Sequence, residues 1–490
     1  MRAAPWQAAW IFFALLSGCA TTPPSGDPRT GRDDPLAGAQ WGLLAVDLAT
    51  GDTLLAHNAH RRFVPGSTMK LLTTVTALDQ LGADYRWRTE MWTGGAINST
   101  SGVLRGDLVL KATGDPALSA RFWNVAGQPL DGLASALFDA GVRRVTGILV
   151  VDASRWDSAT VRDSWMVDDL PFEYAATGGA FVVGEGVTHV ELTGGQTPGQ
   201  AATVRWWPHG EDGFVRSHVT TTTGDPTPVE ASYLPESHAL EISGSVLLGT
   251  VDTVTFATRD PVRQAAATLY RAITKTGVAV EGGWRVAWEP GEALGDDCVT
   301  GASRPCQSGR ILMAVDSPPL IEVLTGTLKP SQNWIAEQIV RTLGAGEGRP
   351  AGWDSGTAAV RAHIETIVGV DSVDLNVVDG SGLSVHNLAT PRSLVQILLY
   401  SHARPWGSLY KATLPQPGEE GGTLSERLLE LQGRLFAKTG SLTNVGSLAG
   451  YVIDRRGREI AFAVMVNGAN LPATAVREGI DAVVLGLAGS

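Results

Sequence analysis

The sequence predicts an α/β (α+β) protein in which an antiparallel sheet with helices is interrupted by a large β-rich insertion. Three observations lead to this fold class: strand-like alternation near the start, a long run of short β-type segments after it, and helical spacing in the second half. The simplest arrangement is discontinuous. Residues 35–89 and 262–490 then form one domain, and residues 90–261 form the β-rich region inserted into it.

The first segment is predicted to be a hairpin followed by a helix. Residues 41–59 alternate apolar and polar side chains around an Ala-Thr-Gly-Asp turn, which predicts two antiparallel strands. After Gly66, apolar residues recur with helical spacing up to Leu81. Because serine is favourable at a helix start, we predict that this helix begins at Ser67.

The middle and the second half of the chain differ in their patterns. Short alternating runs rich in Gly, Thr and Val dominate the middle, with one helix near 130–140. A strand pair, 445–454 and 459–467, is predicted near the C-terminus. Further helices are predicted at 262–277, 317–345, 356–369, 391–403, 423–432 and 473–487.

The composition indicates a globular protein of more than one domain. The chain has 490 residues, of which 43% are hydrophobic and 18% charged, so it can bury a large core. A formal net charge of -12 argues against a nucleic-acid partner, because such a partner demands a basic face.

The N-terminus predicts export. Residues 8–16 form an apolar run that rises only about 14 Å as a helix, too short for a bilayer of about 30 Å. We therefore predict a signal peptide over 1–18. Residues 16–19 (Leu-Ser-Gly-Cys) resemble a bacterial lipobox, so Cys19 is the predicted lipidation site and 19–34 the tether; the alternative is an ordinary signal with a chance cysteine. The expected location is the periplasmic side of the cell envelope, with the lipid as the membrane contact.

Two further cysteines, Cys298 and Cys306, lie eight positions apart in a segment rich in Gly, Asp and Ser. In an oxidising compartment this spacing predicts a disulfide, the alternative being two free thiols. No His/Cys cluster has the spacing of a metal site, so we predict neither a metal nor another cofactor.

The first candidate for chemistry is the S-x-x-K sequence formed by Ser67 and Lys70. Positions i and i+3 share a helix face, so the amine can reach the hydroxyl. A serine becomes a nucleophile when a neighbouring base takes its proton, and a lysine is such a base only when burial or positive charge keeps it partly neutral. Taken alone, the pair would ordinarily be an N-cap serine with a solvated lysine.

The second candidate is Lys438-Thr439-Gly440-Ser441, which we predict on an edge strand. Lys438 with the hydroxyls of Thr439 and Ser441 can hold a substrate carboxylate, and Gly440 leaves room for another backbone. A backbone N–H of this strand, together with that of Ser67, would form an oxyanion hole. The alternative is a basic strand edge that discourages aggregation.

The third candidate is Ser331-Gln332-Asn333, on a loop or at a helix start. Ser331 can relay a proton, and Asn333 can offer its amide to a substrate peptide. Alone this triplet says little. Together, the ordered set S-x-x-K, S-x-N and K-T-G, each on the expected kind of element, is an active-site signature.

With these motifs the chain resembles the low-molecular-mass class C penicillin-binding proteins, which are serine-type D-alanyl-D-alanine carboxypeptidases and endopeptidases. A long stretch separates Ser67 from Ser331, whereas a class A β-lactamase has only a short helical segment there. Segments 106–108, 114–116, 151–154 and 379–384 also resemble this family. The resemblance implies a transpeptidase/β-lactamase-like domain interrupted by a second domain, which itself carries an inserted third.

The resemblance also implies roles for the site residues. Ser67 would form an acyl-enzyme on the penultimate D-Ala carbonyl of peptidoglycan stem peptides, with Lys70 as base, and β-lactams would acylate the same hydroxyl. Ser331 would pass a proton to the leaving amine, and Asn333 would hold the substrate. The residues that orient its terminal carboxylate would be Lys438, Thr439 and Ser441.

Two details depart from the simplest pattern. Gln332 stands where Asp is common in such triplets, but the middle residue is variable, so we expect no consequence for catalysis. Ser384 and Asn387 have S-x-x-N spacing and lie close before Lys438, so we predict a structural role beside the site for their loop.

Two other functions stay open on the sequence alone. A β-lactamase would need an efficient deacylating base, and no Glu is placed to be one. A non-catalytic cell-wall-binding lipoprotein would be expected to lack the nucleophile or the lysine, and the chain has both. The balance between carboxypeptidase and endopeptidase activity and the oligomeric state are not indicated.

Overall fold

A computed structural model of the chain describes residues 39–123, 128–209, 211, 214–234, 239–294, 309–346 and 350–489. The predicted signal peptide and tether, including Cys19, lie outside these ranges. Cys298 and Cys306 lie outside them as well, so both the lipidation site and the disulfide stay predictions.

The described residues form short strands and mostly short helices. The strands are β1 (Gln40–Asp47), β2 (Thr53–His57), β3 (Arg88–Thr93), β4 (Ala96–Asn98), β5 (Val103–Arg105), β6 (Leu108–Lys111), β7 (Arg144–Val145), β8 (Leu149–Asp152), β9 (Val187–Thr193), β10 (Thr203–Trp207), β11 (Val215–Thr222), β12 (Glu230–Leu234), β13 (Ala239–Leu247), β14 (Val251–Ala257), β15 (Ala279–Val280), β16 (Trp284–Ala287), β17 (Arg310–Asp316), β18 (Leu375–Asn376), β19 (Leu388–Ala389), β20 (Leu435–Leu442), β21 (Val445–Ile453) and β22 (Glu459–Asn467). The helices are α1 (Lys70–Leu81), α2 (Gln128–Asp139), α3 (Pro261–Lys275), α4 (Leu320–Leu328), α5 (Asn333–Leu343), α6 (Trp353–His363), α7 (Pro391–His402), α8 (Gly407–Thr413) and α9 (Ala473–Gly489).

The two ends of the chain build one five-stranded antiparallel sheet in the order β2-β1-β22-β21-β20. β1 pairs with β22 along its whole length, from Gln40 opposite Asn467 to Asp47 opposite Ile460. β20 forms one edge of the sheet, as its motif predicts. The sheet confirms the predicted fold class, an antiparallel sheet assembled from distant parts of the chain.

Both faces of this sheet are covered by helices. Successive residues of a strand point to opposite faces, and β22 follows this rule: Phe462 and Val464 pack on the α9 side, whereas Ala463 and Met465 pack on the α7 side. β22 is therefore apolar throughout its interior. α1 lies on the α7 side, where its buried residues join the main core.

The middle of the chain is rich in β-structure, as the sequence predicts. One mixed sheet has the order β16-β8-β6-β3-β17, and a second has the order β15-β7-β5-β4. Two three-stranded sheets, β10-β9-β14 and β11-β13-β12, enclose a separate small core that includes Val190 and Leu240.

The hydrogen bonds do not follow the predicted boundary at residue 262. β16 pairs with β8 and β17 pairs with β3, so the segment 262–316 completes sheets of the middle region. α3, in the same segment, packs on α2 and β16. Strand pairing over such distances leaves no local trace in the sequence. We propose that the second boundary lies near Ser317.

Most predicted helices are present within a few residues, and the exceptions have local reasons. The helix predicted over 317–345 divides into α4 and α5, because Ser331 adopts a left-handed backbone conformation (φ 66°) that interrupts it. The helix predicted at 423–432 is wrong: Leu428 is also left-handed (φ 53°), and only a 3-10 turn forms at Leu429–Leu431. α8 has no counterpart among the predicted helices.

Candidate active site

Ser67 lies in a tight turn that leads into α1. The turn, Gly66–Met69, is 3-10 helical, so the regular helix begins at Lys70 rather than at Ser67. The carbonyl oxygen of Pro65 accepts hydrogen bonds from Ser447 Oγ of β21 at 2.6 Å and from Thr68 Oγ1 at 2.8 Å. The half-buried Ser67 hydroxyl is therefore held at a fixed position against the sheet.

The amine of Lys70 is fully buried and lies against the Ser67 hydroxyl. Its Nζ is 2.8 Å from Ser67 Oγ, 2.6 Å from Asn333 Oδ1 and 2.9 Å from the carbonyl oxygen of Ser381. The last two atoms only accept hydrogen bonds. A neutral amine can donate its two protons to them and use its lone pair to accept the Ser67 hydroxyl proton.

The protonation state of Lys70 fits this arrangement. Burial lowers the pKa of Lys70 to about 7, although the nearby carboxylates of Glu337 and Asp379 act in the opposite direction. A large part of the lysine is then neutral near pH 7, and a neutral amine can act as a base towards Ser67.

The 331–333 turn connects α4 to α5 and directs two side chains into the site. Ser331 Oγ accepts a hydrogen bond from Lys438 Nζ at 2.8 Å. Asn333 opens α5, and its amide is oriented from both ends: Oδ1 accepts from Lys70, and Nδ2 donates to the carbonyl oxygen of Tyr174 at 2.8 Å. The middle region of the chain thus contacts a predicted substrate-binding residue directly.

The K-T-G segment lies on the edge strand β20. Lys438 is fully buried, and its amine contacts Ser331 Oγ and the carbonyl oxygen of Thr439 at 2.7 Å. Burial, reinforced by the charge of Lys70, lowers the pKa of Lys438 well below its usual value. The hydroxyl of Thr439 donates to Thr423 Oγ1 at 2.8 Å, and Ser441 is exposed.

Gly440 is required by the close approach of two backbones. A Cβ at this position would lie 2.2 Å from Ser447 Oγ, 2.5 Å from the carbonyl oxygen of Pro65 and 3.0 Å from the backbone nitrogen of Ser67. The Ser67 N–H and the edge strand are therefore neighbours. This is the geometry that an oxyanion hole built from Ser67 and β20 needs.

Three residues to which the sequence assigned no role complete the site. Ser381 presents its carbonyl oxygen to Lys70, and the buried carboxylate of Glu337 accepts the backbone N–H groups of Ser381 at 2.7 Å and Gly380 at 3.0 Å. Asp379 accepts the N–H groups of Gly382 and Ser384. A signal for Glu337 existed, because it lies four positions after Asn333 and so shares its helix face.

The predicted structural role of the Ser384–Asn387 loop is confirmed. The Asn387 amide donates to Asp379 Oδ1 at 2.7 Å and accepts from the backbone N–H of Val378 at 2.8 Å. Neither side chain contacts Lys70. The loop supports the 379–382 backbone, which in turn carries the Ser381 carbonyl.

Two general features complete the description. Within the described ranges, no group of three or more His, Cys, Asp or Glu residues could hold a metal ion. No helix in the described part of the chain is long and apolar enough to cross a membrane.

The fold and this site define a class: a serine acyl-transfer enzyme in which a buried lysine lies against the nucleophile candidate. The chain matches the model of the D-Ala-D-Ala carboxypeptidase 3 (S13) family over residues 29–488, and it belongs to that family. The resemblance inferred from the three motifs is thereby confirmed, and with it the prediction of a serine-type, penicillin-binding hydrolase.

Named relatives cover most of the chain. A D-alanyl-D-alanine carboxypeptidase from Actinomadura sp. (strain R39) is 32% identical over 92% of this chain and 82% of the relative. A D-alanyl-D-alanine carboxypeptidase from Haemophilus influenzae is 26% identical over 88% of this chain and 86% of the relative.

Solved structures share the fold. Penicillin-binding protein 4 from Haemophilus influenzae has a TM-score of 0.78 and 25% identity, covering 93% of this chain and 97% of that chain. A predatory endopeptidase from Bdellovibrio bacteriovorus has a TM-score of 0.53 and 16% identity, covering 91% of this chain and 92% of that chain. At that identity the second likeness concerns the fold alone.

Proposed function

We propose that this chain cleaves peptidoglycan peptides at the D-alanyl-D-alanine bond through an acyl-enzyme on Ser67. The observation that carries this proposal is the buried Lys70 amine, 2.8 Å from Ser67 Oγ and with a pKa of about 7. The substrate class is supported by the relatives named D-alanyl-D-alanine carboxypeptidases.

Acylation would begin with attack of Ser67 Oγ on the penultimate D-Ala carbonyl carbon while its proton moves to Lys70 Nζ. The ammonium that forms donates to Asn333 Oδ1 and to the Ser381 carbonyl oxygen, so its charge is hydrogen-bonded as it develops. The oxyanion would be held by the Ser67 N–H and an N–H of β20, which approach each other beside Gly440.

Breakage of the C–N bond requires a proton for the departing amine. We propose that the proton that Lys70 takes from Ser67 reaches the amine through the Ser331 hydroxyl, which lies at the site end of the 331–333 turn and is oriented by its 2.8 Å hydrogen bond from Lys438. Water then hydrolyses the ester on Ser67 by the reverse sequence of proton transfers.

The terminal carboxylate of the substrate is proposed to bind along the edge strand. The Lys438 amine is directed at Ser331 and the Thr439 carbonyl, so Lys438 is proposed to act through Ser331. The exposed hydroxyl of Ser441 is proposed to donate to the carboxylate directly, and that of Thr439 to do so by exchanging its hydrogen bond to Thr423 for one to the substrate.

Digestion of purified muropeptides tests the proposed reaction. Incubation with pentapeptide monomers is expected to release D-Ala, read by mass, and the Ser67→Ala protein is expected to release none. Loss of cross-linked dimers in a parallel reaction would establish endopeptidase activity as well. Intact monomers and dimers with a folded wild-type protein would contradict the proposal.

β-Lactams are proposed to acylate Ser67 and to form an acyl-enzyme that is hydrolysed slowly. A similar protein, penicillin-binding protein 4 of Haemophilus influenzae, has been crystallised with a β-lactam. Glu337 is a buried carboxylate near Lys70, but it accepts hydrogen bonds from Gly380, Ser381 and Trp353, which leaves it poorly placed to activate water. Slow, stoichiometric reaction with nitrocefin is expected; fast turnover would favour a β-lactamase.

Export and lipidation are proposed from the N-terminal sequence. Signal-peptide cleavage before Cys19 would place the enzyme in the same compartment as its substrate. Incorporation of a labelled palmitate analogue by the wild type but not by Cys19→Ala is expected. For Cys298 and Cys306, alkylation of both thiols only after reduction would support the proposed disulfide.

A further inference from the structure

Glu185 lies outside the three motifs, yet its carboxylate lies beside the 331–333 turn. The residue precedes β9 in a turn where Gly184, Glu185 and Gly186 all have left-handed backbones, with φ of 64°, 61° and 70°. A glutamate rarely adopts this conformation, so the surrounding packing must impose it. A Cβ on Gly184 would lie 2.4 Å from the Trp207 ring, and one on Gly186 would lie 2.4 Å from the Thr177 carbonyl oxygen.

The Glu185 carboxylate is surrounded by donors. Arg121 pairs with it in a bidentate manner, Nε to Oε1 at 2.8 Å and Nη2 to Oε2 at 2.9 Å. Ser119 Oγ donates to Oε1 at 3.0 Å, and Gln332 Nε2 donates to Oε2. Only 13% of the Glu185 side chain is exposed. Three of these four hydrogen bonds fix the carboxylate, and the fourth joins it to the middle residue of the S-x-N triplet.

Gln332 is held at the other end of its amide as well. Its Oε1 accepts the backbone N–H of Trp334 at 3.0 Å and so caps the start of α5. Gln332 lies between Ser331, which contacts Lys438, and Asn333, which contacts Lys70. A shift of Gln332 would therefore displace both neighbours from the two lysines. The middle residue of the triplet therefore has contacts at both ends of its amide that the sequence did not indicate.

We propose that Glu185 is a positioning residue that holds the 331–333 turn in register with Lys70 and Lys438 through the Gln332 amide. The proposal rests on the proposed function, because it assigns the turn its part in acylation. The pair is matched in charge: an amide faces a carboxylate that is already paired with Arg121. An acidic residue at position 332 would still cap α5, but it would meet the carboxylate of Glu185.

An isosteric charge swap tests this matching. Gln332→Glu places two carboxylates together and is expected to lower the second-order rate of acylation by a fluorescent penicillin about tenfold. Glu185→Gln combined with Gln332→Glu recreates an amide–carboxylate pair with the same atoms and is expected to restore the rate to within about threefold. The rate of Gln332→Glu relative to the wild type is expected to rise as the pH falls, because a shared proton relieves the repulsion.

Glu185→Gly provides a second variant that tolerates the left-handed backbone while it removes the carboxylate. It is expected to lose acylation rate about tenfold with little change in melting temperature. Glu191→Gln is the matched control, since this carboxylate is in β9 of the same region and pairs weakly with Arg205 at 3.7 Å. It is expected to acylate as the wild type does.

The outcomes separate the two proposals. If the wild-type protein itself fails to react with penicillin, the proposed function is contradicted. If the wild type reacts but Gln332→Glu and Glu185→Gly are acylated as fast as the wild type, Glu185 has no positioning role. The inference would also be overturned if the double variant Glu185→Gln/Gln332→Glu were acylated as slowly as Gln332→Glu alone. The same holds if the acylation rates of the variants fell only in proportion to their melting temperatures.

Discussion

At the scale of single residues, the reactivity of this protein depends on a lysine that gives up its charge. An exposed lysine is cationic at neutral pH and cannot accept a proton. Lys70 is fully buried, and its amine has two acceptors besides the Ser67 hydroxyl. Burial favours the neutral form strongly enough to overcome two nearby carboxylates. Without this amine the Ser67 hydroxyl would be inert, because no other described side chain lies in hydrogen-bonding contact with it.

Replacement of the nucleophile gives the first prediction. Ser67→Ala is expected to abolish labelling by a fluorescent penicillin, since no oxygen is left to form the ester. The melting temperature is expected to change little, because the substitution removes one half-buried atom. Gel fluorescence and thermal unfolding measure the two effects. Label that persists on the variant would show that another residue is the nucleophile.

The second prediction concerns the pH dependence of acylation. Because the pKa of Lys70 is lowered to about 7, the base form is scarce below that pH and abundant above it. The acylation rate is therefore expected to rise with pH, with a midpoint near 7. Lys70→Arg keeps a permanent charge and is expected to slow acylation about 10²–10⁴-fold and to remove the rise.

Stopped-flow acylation between pH 5 and pH 9, about two units either side of that midpoint, measures the profile. Lys275→Arg is the control, since this exposed lysine is in the last turn of α3 and belongs to none of the three motifs. A profile that is flat for the wild type, or unchanged in Lys70→Arg, would remove Lys70 from the role of base.

At the scale of elements, α5 connects the site to the rest of the molecule through two faces. Asn333 and Glu337, four positions apart, face Lys70 and the 380–381 backbone. Other residues of the helix face the middle region: the Trp334 indole donates to the Thr177 carbonyl oxygen at 3.0 Å, and Gln338 bonds both backbone groups of Gly179. The position of one helix thus depends on both parts of the fold.

Glu337→Gln probes the face that supports the lysine. The amide can accept fewer hydrogen bonds than the carboxylate, so the 380–381 backbone loses part of its support at a cost of about 1–3 kcal/mol in the free energy of unfolding. The negative charge of Glu337 raises the pKa of Lys70. Its loss in the variant is therefore expected to lower that pKa and to move the midpoint of the acylation profile below 7.

Urea unfolding and the acylation profile test the two effects separately. Glu322→Gln, an exposed residue on α4, is the control and is expected to change neither. A midpoint that moves to higher pH in Glu337→Gln would contradict the electrostatic argument, whatever the stability.

At the scale of the whole molecule, the middle region is joined to the helices around the site by buried polar contacts. Arg341 of α5 is fully buried between the rings of Trp156 and Trp353, with its guanidinium carbon 5.1 Å and 4.4 Å from their centroids. It donates to Asp157 Oδ1 at 2.7 Å. A cation buried in this way contributes packing as well as charge.

Arg341→Ala is expected to weaken this junction. Removal of a large buried side chain between two rings should cost about 3 kcal/mol or more in the free energy of unfolding, and limited proteolysis of the middle region should speed up. Arg205→Ala, which removes an exposed arginine from β10, is expected to change stability by less than about 0.5 kcal/mol. Equal stability of the two variants in urea would show that Arg341 does not hold the parts together.

Much of the site was open to prediction because its motifs are local. Ser67 and Lys70 meet because they are three positions apart, across the 3-10 turn that leads into α1, and the alternation after Leu435 predicts the edge strand that carries Lys438. The residues around them could not be predicted. Ser381 acts through its backbone carbonyl oxygen, and because every residue has this group, the sequence does not single it out. The left-handed backbone at Ser331 could not be predicted either, because no glycine, the residue that usually adopts it, is present there.

By itself, the sequence determined the three motifs, the antiparallel fold class and the kind of chemistry, since helix and strand periods decide which neighbouring residues share a face. The tertiary structure alone decided that Lys438 points at Ser331, that β16 and β17 join the middle sheets, and that Glu185 reaches Gln332. These contacts join residues far apart in the chain. They depend on how whole elements pack against each other, and this packing produces no periodic pattern in the sequence from which it could be predicted.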